Sequence, residues 1–416
     1  MNTIWIIDHY SSEPKYGGIS RQYDFAVEIA KRGYKVVVIA SGFSHFTHSY
    51  IAEEECFFSD INQYVHFVYL KTLSYEMNGG LKRARNMFDF IKKVKKFTQA
   101  IEDKYGRPDV VEGCSVHPLT WIAAYKISKR YKVRFCAEVR DFWPQIWLLA
   151  KEKKAYDPMV VFFSLIEKWA YKKAEKIVCS MYHGDRYICD EKGVDREKVE
   201  IIGQPMDCAR FDVNAKRVNE LPMVIRKFID GRFICVFSGY FMEYEGVYVM
   251  LEAAKLLKDR GIPVCMLFVG SGQEEIGMRE YVESNALDNV LIHSRISKEL
   301  VPALLHSCDV CMGHLEVRGH KEVYKYGVSK NKINEYLYSG AVTLYGFDYE
   351  DDIVTNSGGG ILFEPYNASD LAEKIERVYV ATEADRMQYG IKGREYIINK
   401  HDVSILADKL LETLFD

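Results

Sequence analysis

The sequence alternates short apolar runs with amphipathic helical stretches, and this alternation starts twice along the chain. The run Ile4–Ile7 is followed by a glycine-containing loop, a stretch with apolar residues at helical spacing, and a second apolar run at 35–40. After a polar stretch from about 207 to 220, the pattern restarts with the run at 234–237. Continuous apolar strands alternating with helices are typical of a parallel sheet covered on both faces. The sequence therefore predicts two doubly wound α/β domains, joined near residues 203–215.

Further apolar runs extend both series of strands. They lie at 109–111, 133–137 and 176–180 in the first half, and at 264–269, 290–292, 310–312 and 341–345 in the second. A chain of 416 residues has room for two or three domains, and the restart of the pattern favours two, at 1–205 and 206–399. Ligands of open α/β sheets bind beyond the carboxyl ends of the strands, so a cleft between the domains is the expected binding site.

Composition and charge exclude several classes of protein. The 56 basic and 59 acidic residues give a net charge of -3, so the whole chain lacks the basic surface of a nucleic-acid-binding protein. Its apolar runs are shorter than the stretch of about 18 residues that spans a bilayer. The chain start lacks the features of a signal peptide, and the cysteines are scattered in apolar runs, as is typical of reduced thiols. We therefore expect a cytoplasmic protein with no nucleic-acid partner.

Glycine-containing turns follow three predicted strands, at Gly17-Gly18, at Gly239 and at Gly270-x-Gly272. Glycine lets the backbone approach a ligand closely, and amides at the start of a following helix favour a phosphate. A purely steric role in each turn is the alternative. Neither a GxGxxG dinucleotide fingerprint nor a P-loop motif is present.

The segment 326–343 is the most informative one in the sequence. A loop leads into a short helix that ends at Gly340, and Ser329 or Asn331 could cap this helix so that its first amides face a phosphate. Glu335, one turn further on, could accept hydrogen bonds from the two vicinal hydroxyls of a ribose. The alternative is an ordinary surface glutamate in a capped helix.

In their order along the chain, these motifs resemble those of the retaining sugar-nucleotide glycosyltransferases of family four, over nearly the whole chain. The matching segments are 14–18, 238–239, 268–272, 308–310, 329–340 and 358–360. The most distinctive motif, at 138–144, follows the segment 115–118 and is similar to the aminosugar transferases for bacterial surface polysaccharides such as capsule or O-antigen. The resemblance implies the GT-B fold, in which two Rossmann-like domains face a central cleft and a C-terminal helix, at about 400–416, packs back on the first domain.

The resemblance also implies where a nucleotide-sugar donor binds. Glu335 matches the second glutamate of the family's EX7E signature, which binds the donor ribose, and Gly17-Gly18 match the loop against the donor diphosphate. The other implied donor-binding residues are Gly239, Gly270, Gly272, Asn331 and Lys332. In this family a helix N-terminus and basic side chains stabilise the leaving diphosphate in place of a metal. Since the sequence contains no metal-ligand cluster, we expect neither a metal nor another cofactor.

Two departures from the family pattern affect the donor site. The first glutamate of the signature falls on Gly327. The family's basic pair at the diphosphate falls on residues 242–246, which carry Glu243 and Glu245 instead. Our hypothesis is that these charges are replaced by other residues, of which Lys330, Lys332 and Arg318 are the candidates.

A third departure affects the catalytic region. The histidine that is common there aligns with Arg140, which leaves Asp141 and His117 as the polar groups near the expected sugar site. The sequence therefore predicts Arg140, Asp141 and His117 as catalytic candidates. A structural ion pair is the alternative for Arg140 and Asp141, and a packed or capping histidine for His117.

The segment 82–96 combines a local net charge of +6 with apolar residues at helical spacing, namely Leu81, Ala84, Phe88, Ile91 and Val94. A basic amphipathic helix of this kind suits the anionic inner leaflet of the plasma membrane, with Lys92, Lys93, Lys95 and Lys96 as contacts. The alternative is a solvated charged face on a soluble protein.

The sequence thus predicts a cytoplasmic, peripherally membrane-bound, metal-independent glycosyltransferase of the hexosyltransferase type. It would move a sugar with retention from a nucleotide sugar, with a UDP-sugar expected, to a hydroxyl of a glycan or lipid-linked glycan. The first domain would bind the acceptor and the second the donor. The alternatives are a nucleotide-sugar 2-epimerase of the same fold, and an inactive sugar-nucleotide or glycan-binding partner, which the glycine at 327 and the acidic Glu243 and Glu245 favour.

Overall fold

The computed structural model describes residues 1–76, 80–115, 117–150, 152–315, 321–327, 329–349 and 352–416, and it describes residues 321 and 323 by their backbone alone. Arg318, one of the candidates for the replaced basic pair, lies outside the described residues. The described strands are β1 (Thr3–Ile7), β2 (Lys35–Ser41), β3 (Cys56–Asp60), β4 (Val65–Leu70), β5 (Val110–Cys114), β6 (Arg134–Val139), β7 (Lys176–Cys179), β8 (Val199–Ile201), β9 (Phe233–Tyr240), β10 (Val264–Ser271), β11 (Val290–His293), β12 (Val310–His314), β13 (Val342–Gly346) and β14 (Gly360–Phe363).

The described α-helices are α1 (Arg21–Ala30), α2 (Gly80–Tyr105), α3 (Leu119–Tyr131), α4 (Gln145–Leu149), α5 (Pro158–Lys173), α6 (Cys208–Ala215), α7 (Met223–Ile229), α8 (Val247–Asp259), α9 (Glu275–Ser284), α10 (Val301–His306), α11 (Asn331–Tyr338), α12 (Ile353–Ser357), α13 (Ala368–Val380), α14 (Glu383–His401) and α15 (Val403–Phe415). Short 3-10 turns lie at Pro14–Tyr16, Arg196–Lys198, Val218–Glu220, Glu243–Glu245, Lys298–Leu300 and Lys321–Tyr324, and a π-helical turn lies at Arg186–Glu191. Within the described part of the chain, no helix is both long enough and apolar enough to cross a bilayer.

Contacts between residues divide the chain into two compact units. The first comprises Met1–Pro205, residues 322–329 and Val403–Asp416, and the second comprises Met206–Lys321 and Lys330–Asp402. Residues 322–329 thus pack with the first unit, although they lie in the second half of the sequence. Tyr326 explains this placement, because its ring packs against Phe142 and Tyr187 of the first unit.

The first unit is built on an eight-stranded sheet in the order β3-β4-β2-β1-β5-β6-β7-β8. Its two faces carry separate apolar cores, and alternate residues of β1 enter each of them, as the period of a strand requires. Ile4 and Ile6 pack in the core that contains α1 and α15 residues, while Trp5 and Ile7 pack in the core that contains residues of α2, α3 and α5. Every neighbouring pair is parallel except β3 and β4, which are antiparallel.

The second unit is built on a six-stranded sheet in the order β11-β10-β9-β12-β13-β14, in which all neighbouring pairs are parallel. Residues of α8 and α13 share one core with the sheet, and α11 contacts α14 and β13. The prediction of two doubly wound α/β units is confirmed. The apolar pattern did not predict β3, β4, β8 or β14, and the antiparallel β3 is a departure from the predicted all-parallel sheet.

The basic helix α2 is longer than the predicted segment and buries a different face. Of the predicted apolar face, Val94 is buried, whereas Leu81 and Phe88 are 81% and 47% exposed. The buried residues of the helix are Asn86, Met87, Phe90, Val94, Thr98, Ile101 and Tyr105. This stripe is rotated by about one residue, or about 100° around the helix, from the predicted one. The apolar stripe predicted from the sequence is therefore displaced from the buried one, and of its five residues Val94 alone is buried.

Candidate functional site

In both sheets the strand that comes first in the sequence lies in the interior. The strands that follow it along the chain are added on one side of it, and the later strands are added on the other side. β1 lies between β2 and β5, and β9 lies between β10 and β12. Such a reversal of direction opens a crevice outside the carboxyl ends of the strands, where α/β proteins bind ligands. The ends of β1 and β5 in the first unit, and those of β9 and β12 in the second, are therefore the places to look for a site.

The first of these places is filled by a group of buried polar residues, which we call the β1–β5 cluster: Asp8, His9, Ser115, His117 and Arg140. An Arg140 guanidinium nitrogen lies 3.2 Å from Asp8 Oδ2, and the Arg140 backbone N–H donates to Ser115 Oγ at 3.1 Å. His117 Nε2 lies 3.0 Å from His9 Nδ1. The predicted catalytic candidates Arg140 and His117 are thus brought together, and sequence reasoning missed Asp8, His9 and Ser115. Asp8 and His9 come directly after the predicted strand at 4–7, and this position was the signal that could have found them.

Burial controls the charge of the two histidines. It lowers the pKa of His9 to about 3, and it lowers the pKa of His117 well below the ordinary value, with the neighbouring His9 adding to the effect. Both rings are therefore neutral near pH 7. His117 Nδ1 and Arg140 Nε are buried and make no hydrogen bond within the described part of the structure. Buried polar atoms without a partner are rare in folded proteins, and a catalytic role or a bound water or ion is a usual explanation.

We expect the free energy of unfolding to fall as the pH is lowered from about 6.5 towards 3. The unfolded chain binds a proton at each histidine below its ordinary pKa, whereas folded His9 binds one only near pH 3. Each such group contributes a slope of about 1.4 kcal/mol per pH unit. Urea denaturation of the wild type and of His117→Gln between pH 7 and 5 measures this slope. The variant should lose less stability over that range, while His293→Gln, which lies outside the cluster, should match the wild type. Equal slopes for the wild type and His117→Gln would show that burial does not hold His117 neutral.

A second layer of buried charge lies beneath this cluster. Arg21 Nε donates to Glu138 Oε1 at 2.6 Å, and Gln22 donates to Glu138 Oε2 at 2.6 Å. Although burial opposes it, the Arg21 and Arg140 charges lower the pKa of Glu138. One ligand atom each of Asp8, Cys114 and Glu138 lies within 4.8 Å of the others, the spacing that a bound cation would need. Both carboxylates already face guanidinium groups, so the arginines supply the positive charge in this group.

Asp141, the third catalytic candidate, follows Arg140 at the same edge of the sheet and is half-buried. Burial raises the pKa of its carboxyl above the ordinary value, although Arg140 and Arg83 oppose this. Its backbone carbonyl accepts a hydrogen bond from the Trp143 N–H at 3.0 Å.

The glycine loop after β1 lies beside the β1–β5 cluster. The Ser12 N–H donates to the Ile19 carbonyl at 3.2 Å and closes the loop, and the Ser12 hydroxyl donates to the Gly17 carbonyl. Gly17 and Gly18 have φ values of +72° and +92°, which favour glycine, and a Cβ at Gly18 would lie 2.9 Å from the Phe46 ring. His9, Ser12 and Phe46 are among the residues that line a small recess next to this loop.

The second place, at the end of β9, holds a group of charges that we call the Glu245 cluster: Glu245, Lys330 and Lys332. Lys330 Nζ lies 2.9 Å from Glu245 Oε1, and Lys332 Nζ lies 2.6 Å from Glu245 Oε2. Burial opposes ionisation of Glu245, but the two ammonium groups lower its pKa below the ordinary value. Burial also lowers the pKa of Lys330 to about 8, against the attraction of Glu245. The cluster thus places two ammonium groups against one buried carboxylate.

Helix α11 is fixed to the end of β9 by Tyr336, which sequence reasoning missed. The buried Tyr336 hydroxyl accepts from the Ser238 N–H at 3.0 Å and donates to the Ser238 carbonyl, with an oxygen–oxygen distance of 3.1 Å. A Cβ at Gly239 would lie 2.8 Å from Lys332 Nζ, so glycine at this position leaves room for the ammonium group. A cation that the sequence did not reveal, Arg295, lies 4.6 Å from the centre of the Tyr240 ring.

Steric contacts account for the two glycines at the end of β10, Gly270 and Gly272. A Cβ at Gly270 would lie 1.8 Å from the Gly239 carbonyl oxygen, and one at Gly272 would lie 2.2 Å from the Phe241 carbonyl oxygen. No side chain fits in either place. The predicted contact of these two glycines with a donor stays a prediction.

The start of α11 differs from the prediction. Lys330 occupies the N-cap position without a side-chain cap, Asn331 is the exposed first residue of the helix, and the Ser329 hydroxyl accepts from Gln204 at 3.0 Å. The prediction that Ser329 or Asn331 caps the helix is wrong, because the capping position falls on the lysine between them. Glu335 is half-buried on the same helix.

Gly327, which stands where the family has its first glutamate, occupies a position that only glycine suits. Its φ of +87° is one that side chains rarely adopt, and a Cβ there would lie 2.8 Å from Tyr182 Cβ. The structure therefore gives a physical reason for the missing carboxylate.

The lysines predicted for the membrane lie on α2. Lys92, Lys95 and Lys96 are exposed, whereas Lys93 is half-buried and its ammonium lies 3.0 Å from Glu55 Oε2. The Lys96 ammonium lies 3.8 Å from the same oxygen. Glu55 thus partly compensates the charge of this face.

Two family models match the chain in succession. The model described as Glycosyltransferase Family 4 matches residues 16–210, and the model described as Glycosyl transferases group 1 matches residues 232–380. The chain belongs to glycosyltransferase family 4. Capsular polysaccharide biosynthesis glycosyltransferase CapM of Staphylococcus aureus is 23% identical to this family 4 chain over 194 residues, which are 46% of this chain and 48% of CapM. The chain thus spans about half the length of the curated relative that it matches.

Solved structures with the same fold cover nearly the whole family 4 chain. Sucrose-phosphate synthase from Thermosynechococcus elongatus has a TM-score of 0.71 at 15% identity, covering 99% of this chain and 98% of that one. HepE from Anabaena, solved with UDP and glucose, has a TM-score of 0.64 at 13% identity, with 99% and 98% coverage. The implied GT-B fold, with two Rossmann-like sheets, is confirmed.

Proposed function

We propose that this family 4 chain is a retaining, metal-independent hexosyltransferase. It moves a sugar from a UDP-sugar to a hydroxyl of a glycan or lipid-linked glycan in the synthesis of a bacterial surface polysaccharide. The observation that carries the proposal is the Glu245 cluster, with its two ammonium groups at the end of β9. Two similar proteins support the proposal. CapM is a capsular polysaccharide biosynthesis glycosyltransferase, and HepE was solved in complex with UDP and with UDP-glucose.

The chemistry of transfer explains why this cluster suits a nucleotide sugar. When the bond between the sugar and the diphosphate breaks, negative charge develops on the diphosphate, and cations fixed in advance stabilise it. Lys330 and Lys332 lie in fixed positions because both contact Glu245. In this proposal they replace the family's basic pair and no metal is needed. Glu335, three residues beyond Lys332 on α11, accepts the ribose hydroxyls.

The β1–β5 cluster suits the sugar or the acceptor. A neutral imidazole can both donate and accept a hydrogen bond, and sugar hydroxyls offer the matching groups. In this proposal His117 Nδ1 and Arg140 Nε, which make no hydrogen bond within the described part of the chain, bind sugar hydroxyls. The Asp8 carboxylate holds Arg140 in place for this contact.

Binding of a donor is tested by thermal unfolding with a panel of nucleotides and nucleotide sugars. A ligand that binds only the folded chain adds about 2.7 kcal/mol of stability at 100 times its Kd. We expect UDP and a UDP-sugar to raise the unfolding temperature, and ADP, GDP and CMP to do so less. Equal shifts with all of these nucleotides, or none with any, would contradict the proposed donor.

The reaction itself is followed with the donor that binds best. Transfer to a glycan acceptor, with the anomeric configuration retained in the NMR spectrum of the product, supports the proposal. Conversion of the donor sugar with no acceptor present would indicate the epimerase. Tight donor binding without turnover on any acceptor would indicate the inactive binding partner.

In the same proposal the chain works at the inner face of the plasma membrane, where lipid-linked acceptors are found. Lys92, Lys93, Lys95 and Lys96 on α2 contact anionic lipids, each lysine near the surface adding about 1 kcal/mol. Reversing the charge of all four residues should strongly weaken co-sedimentation with anionic vesicles at low salt, and unaltered sedimentation would overturn this contact.

A further inference from the structure

Helix α5 exposes an unusual number of large apolar side chains. On the helix and just before it, Tyr156, Met159, Val161, Phe162 and Leu165 are 76%, 42%, 45%, 42% and 63% exposed. We call these five residues the α5 surface. Single exposed apolar residues are ordinary, but a contiguous group of this kind marks an interaction site.

The α5 surface is not a consequence of poor packing. The opposite side of the helix is well buried, through Val160, Phe163, Ile166, Ala170 and Tyr171. Asp157 caps the helix by accepting from the Met159 N–H at 2.8 Å. The helix is therefore fixed in the first unit and presents its apolar surface outward.

Lysines lie at both ends of this surface. The exposed charged residues of α5 are Lys168, Lys172 and Lys173, which lie along the helix beyond Leu165. At the other end, the Lys154 ammonium lies 5.7 Å from the centre of the Tyr156 ring. Apolar side chains next to aromatic rings and lysines are the combination found on helices that lie in the interface of a bilayer.

The neighbouring helices extend the same charge. α2, α3 and α5 contribute to the same core, so they cover the same face of the sheet, and α3 contacts both of the others. On α3 the exposed residues are all basic, namely Lys126, Lys129 and Arg130. On α2 the exposed charged residues are basic apart from Asp103. The outer side of this helix layer is thus strongly basic, although the chain as a whole has a net charge of -3.

We propose that the α5 surface docks on an anionic phospholipid bilayer, with Phe162 and Leu165 inserted among the lipid chains and the lysines of the layer at the headgroups. The charge selects this occupant. A two-fold dimer would bring the same lysine-flanked surface against itself, and like charges facing each other are unfavourable. A sheet of anionic headgroups instead offers opposite charge to the exposed lysines and arginines of this layer.

This inference deepens the membrane contact of the proposed function and assigns the apolar part of it to α5 rather than α2. The α2 lysines attract the protein to the surface, whereas the α5 surface inserts. The two contributions respond differently to salt, because screening weakens attraction between charges and leaves apolar insertion in place. The binding that persists at high salt should therefore depend on α5.

The test is flotation of the full chain with vesicles of phosphatidylglycerol and phosphatidylcholine, compared with vesicles of phosphatidylcholine alone. The variant Phe162→Ser/Leu165→Ser should reduce the partition coefficient on anionic vesicles at least about tenfold, given the apolar area removed from insertion. The matched control is Ile276→Ser/Met387→Ser, which removes similarly exposed apolar side chains from the second unit and should partition like the wild type. Because all four side chains are exposed, unchanged thermal unfolding temperatures should show that both variants fold.

A second variant reports insertion directly. The fluorescence of Phe162→Trp, after subtraction of the wild-type signal, should be quenched by brominated lipid chains in anionic vesicles. The proposal would be overturned if Phe162→Ser/Leu165→Ser floated with anionic vesicles as the wild type does, or if brominated lipids did not quench the fluorescence of Phe162→Trp. So would a wild-type dimer in light scattering that Phe162→Ser/Leu165→Ser dissociates, because the occupant would then be a second copy.

Failure of this inference is separate from failure of the proposed function. The rise in unfolding temperature with UDP is measured without vesicles, and Phe162→Ser/Leu165→Ser should keep it in full. If UDP did not raise the unfolding temperature of the wild type, the proposed donor would be contradicted. The docking surface would still be tested by the flotation experiment alone.

Discussion

Replacement of Arg140 by methionine is expected to lower the free energy of unfolding by about 3–5 kcal/mol, the usual cost of leaving a buried charge without its partner. Arg140 and Asp8 are both almost fully buried, and their charged groups are 3.2 Å apart. Burial raises the pKa of Asp8, and the Arg140 charge is the largest influence that opposes this rise. Without Arg140 the buried Asp8 carboxyl must stay charged without its cationic partner or take up a proton. Urea denaturation at pH 7 measures the loss.

The double variant Asp8→Asn/Arg140→Met separates the buried charge from other effects of the substitution. It should recover most of the lost stability, because neither charge remains. The matched control is Arg134→Met at the other end of β6, whose guanidinium lies 3.7 Å from Glu175 in an exposed pair. That change should cost less than about 1 kcal/mol. Equal stability of Arg140→Met and the double variant would show that Asp8 does not depend on Arg140.

The double variant also tests the proposed sugar contact. If Arg140 binds the sugar or the acceptor, the folded double variant should still show the UDP-induced rise in unfolding temperature but should lose glycosyl transfer. If the double variant transferred sugar at the wild-type rate, the role of the Asp8–Arg140 pair would be structural only.

The parts of the fold that could be predicted are those in which local sequence and burial agree. β1, β2 and β9 are continuous apolar runs buried on both faces, so their composition alone identifies them. β3 is short and carries Ser59 and Asp60, and it lies at the sheet edge, where little burial is required. Such a strand forms because β4 offers it a partner, and the local pattern contains no sign of this.

Long-range contacts account for most of what the sequence could not predict at the candidate sites. The lysines at 330 and 332 were expected to replace missing cations, but their shared partner Glu245 is about 85 residues away along the chain. His9 and His117 meet because β1 and β5 are neighbours in the sheet, an arrangement that depends on strand order rather than local sequence. Nothing in the sequence indicated the α5 surface, because a helix with these apolar residues looks like an ordinary buried helix.

Replacement of Lys332 by alanine is expected to lower kcat/KM for the donor about 100-fold, the usual effect of removing one group that stabilises developing negative charge. Lys330→Ala should act in the same direction, and Lys227→Ala, on the exposed side of α7, is the matched control that should keep wild-type kinetics. If Lys332→Ala leaves both turnover and the UDP-induced rise in unfolding temperature unchanged, Lys332 does not replace the family's basic pair.

Glu245→Gln distinguishes a cluster that is arranged for diphosphate from a chance ion pair. The pKa of Lys330 is about 8 because burial lowers it while Glu245 partly restores it. Without the carboxylate this pKa should fall further, so Lys330 loses its proton at a lower pH. The pH above which UDP affinity declines should therefore move below 8 in Glu245→Gln, and titration calorimetry between pH 6 and 9 measures it. An unchanged midpoint, or one displaced to higher pH, would mean that Lys330 does not bind the diphosphate as a cation. A lowered midpoint would identify Glu245 as the residue that keeps this lysine charged and in position.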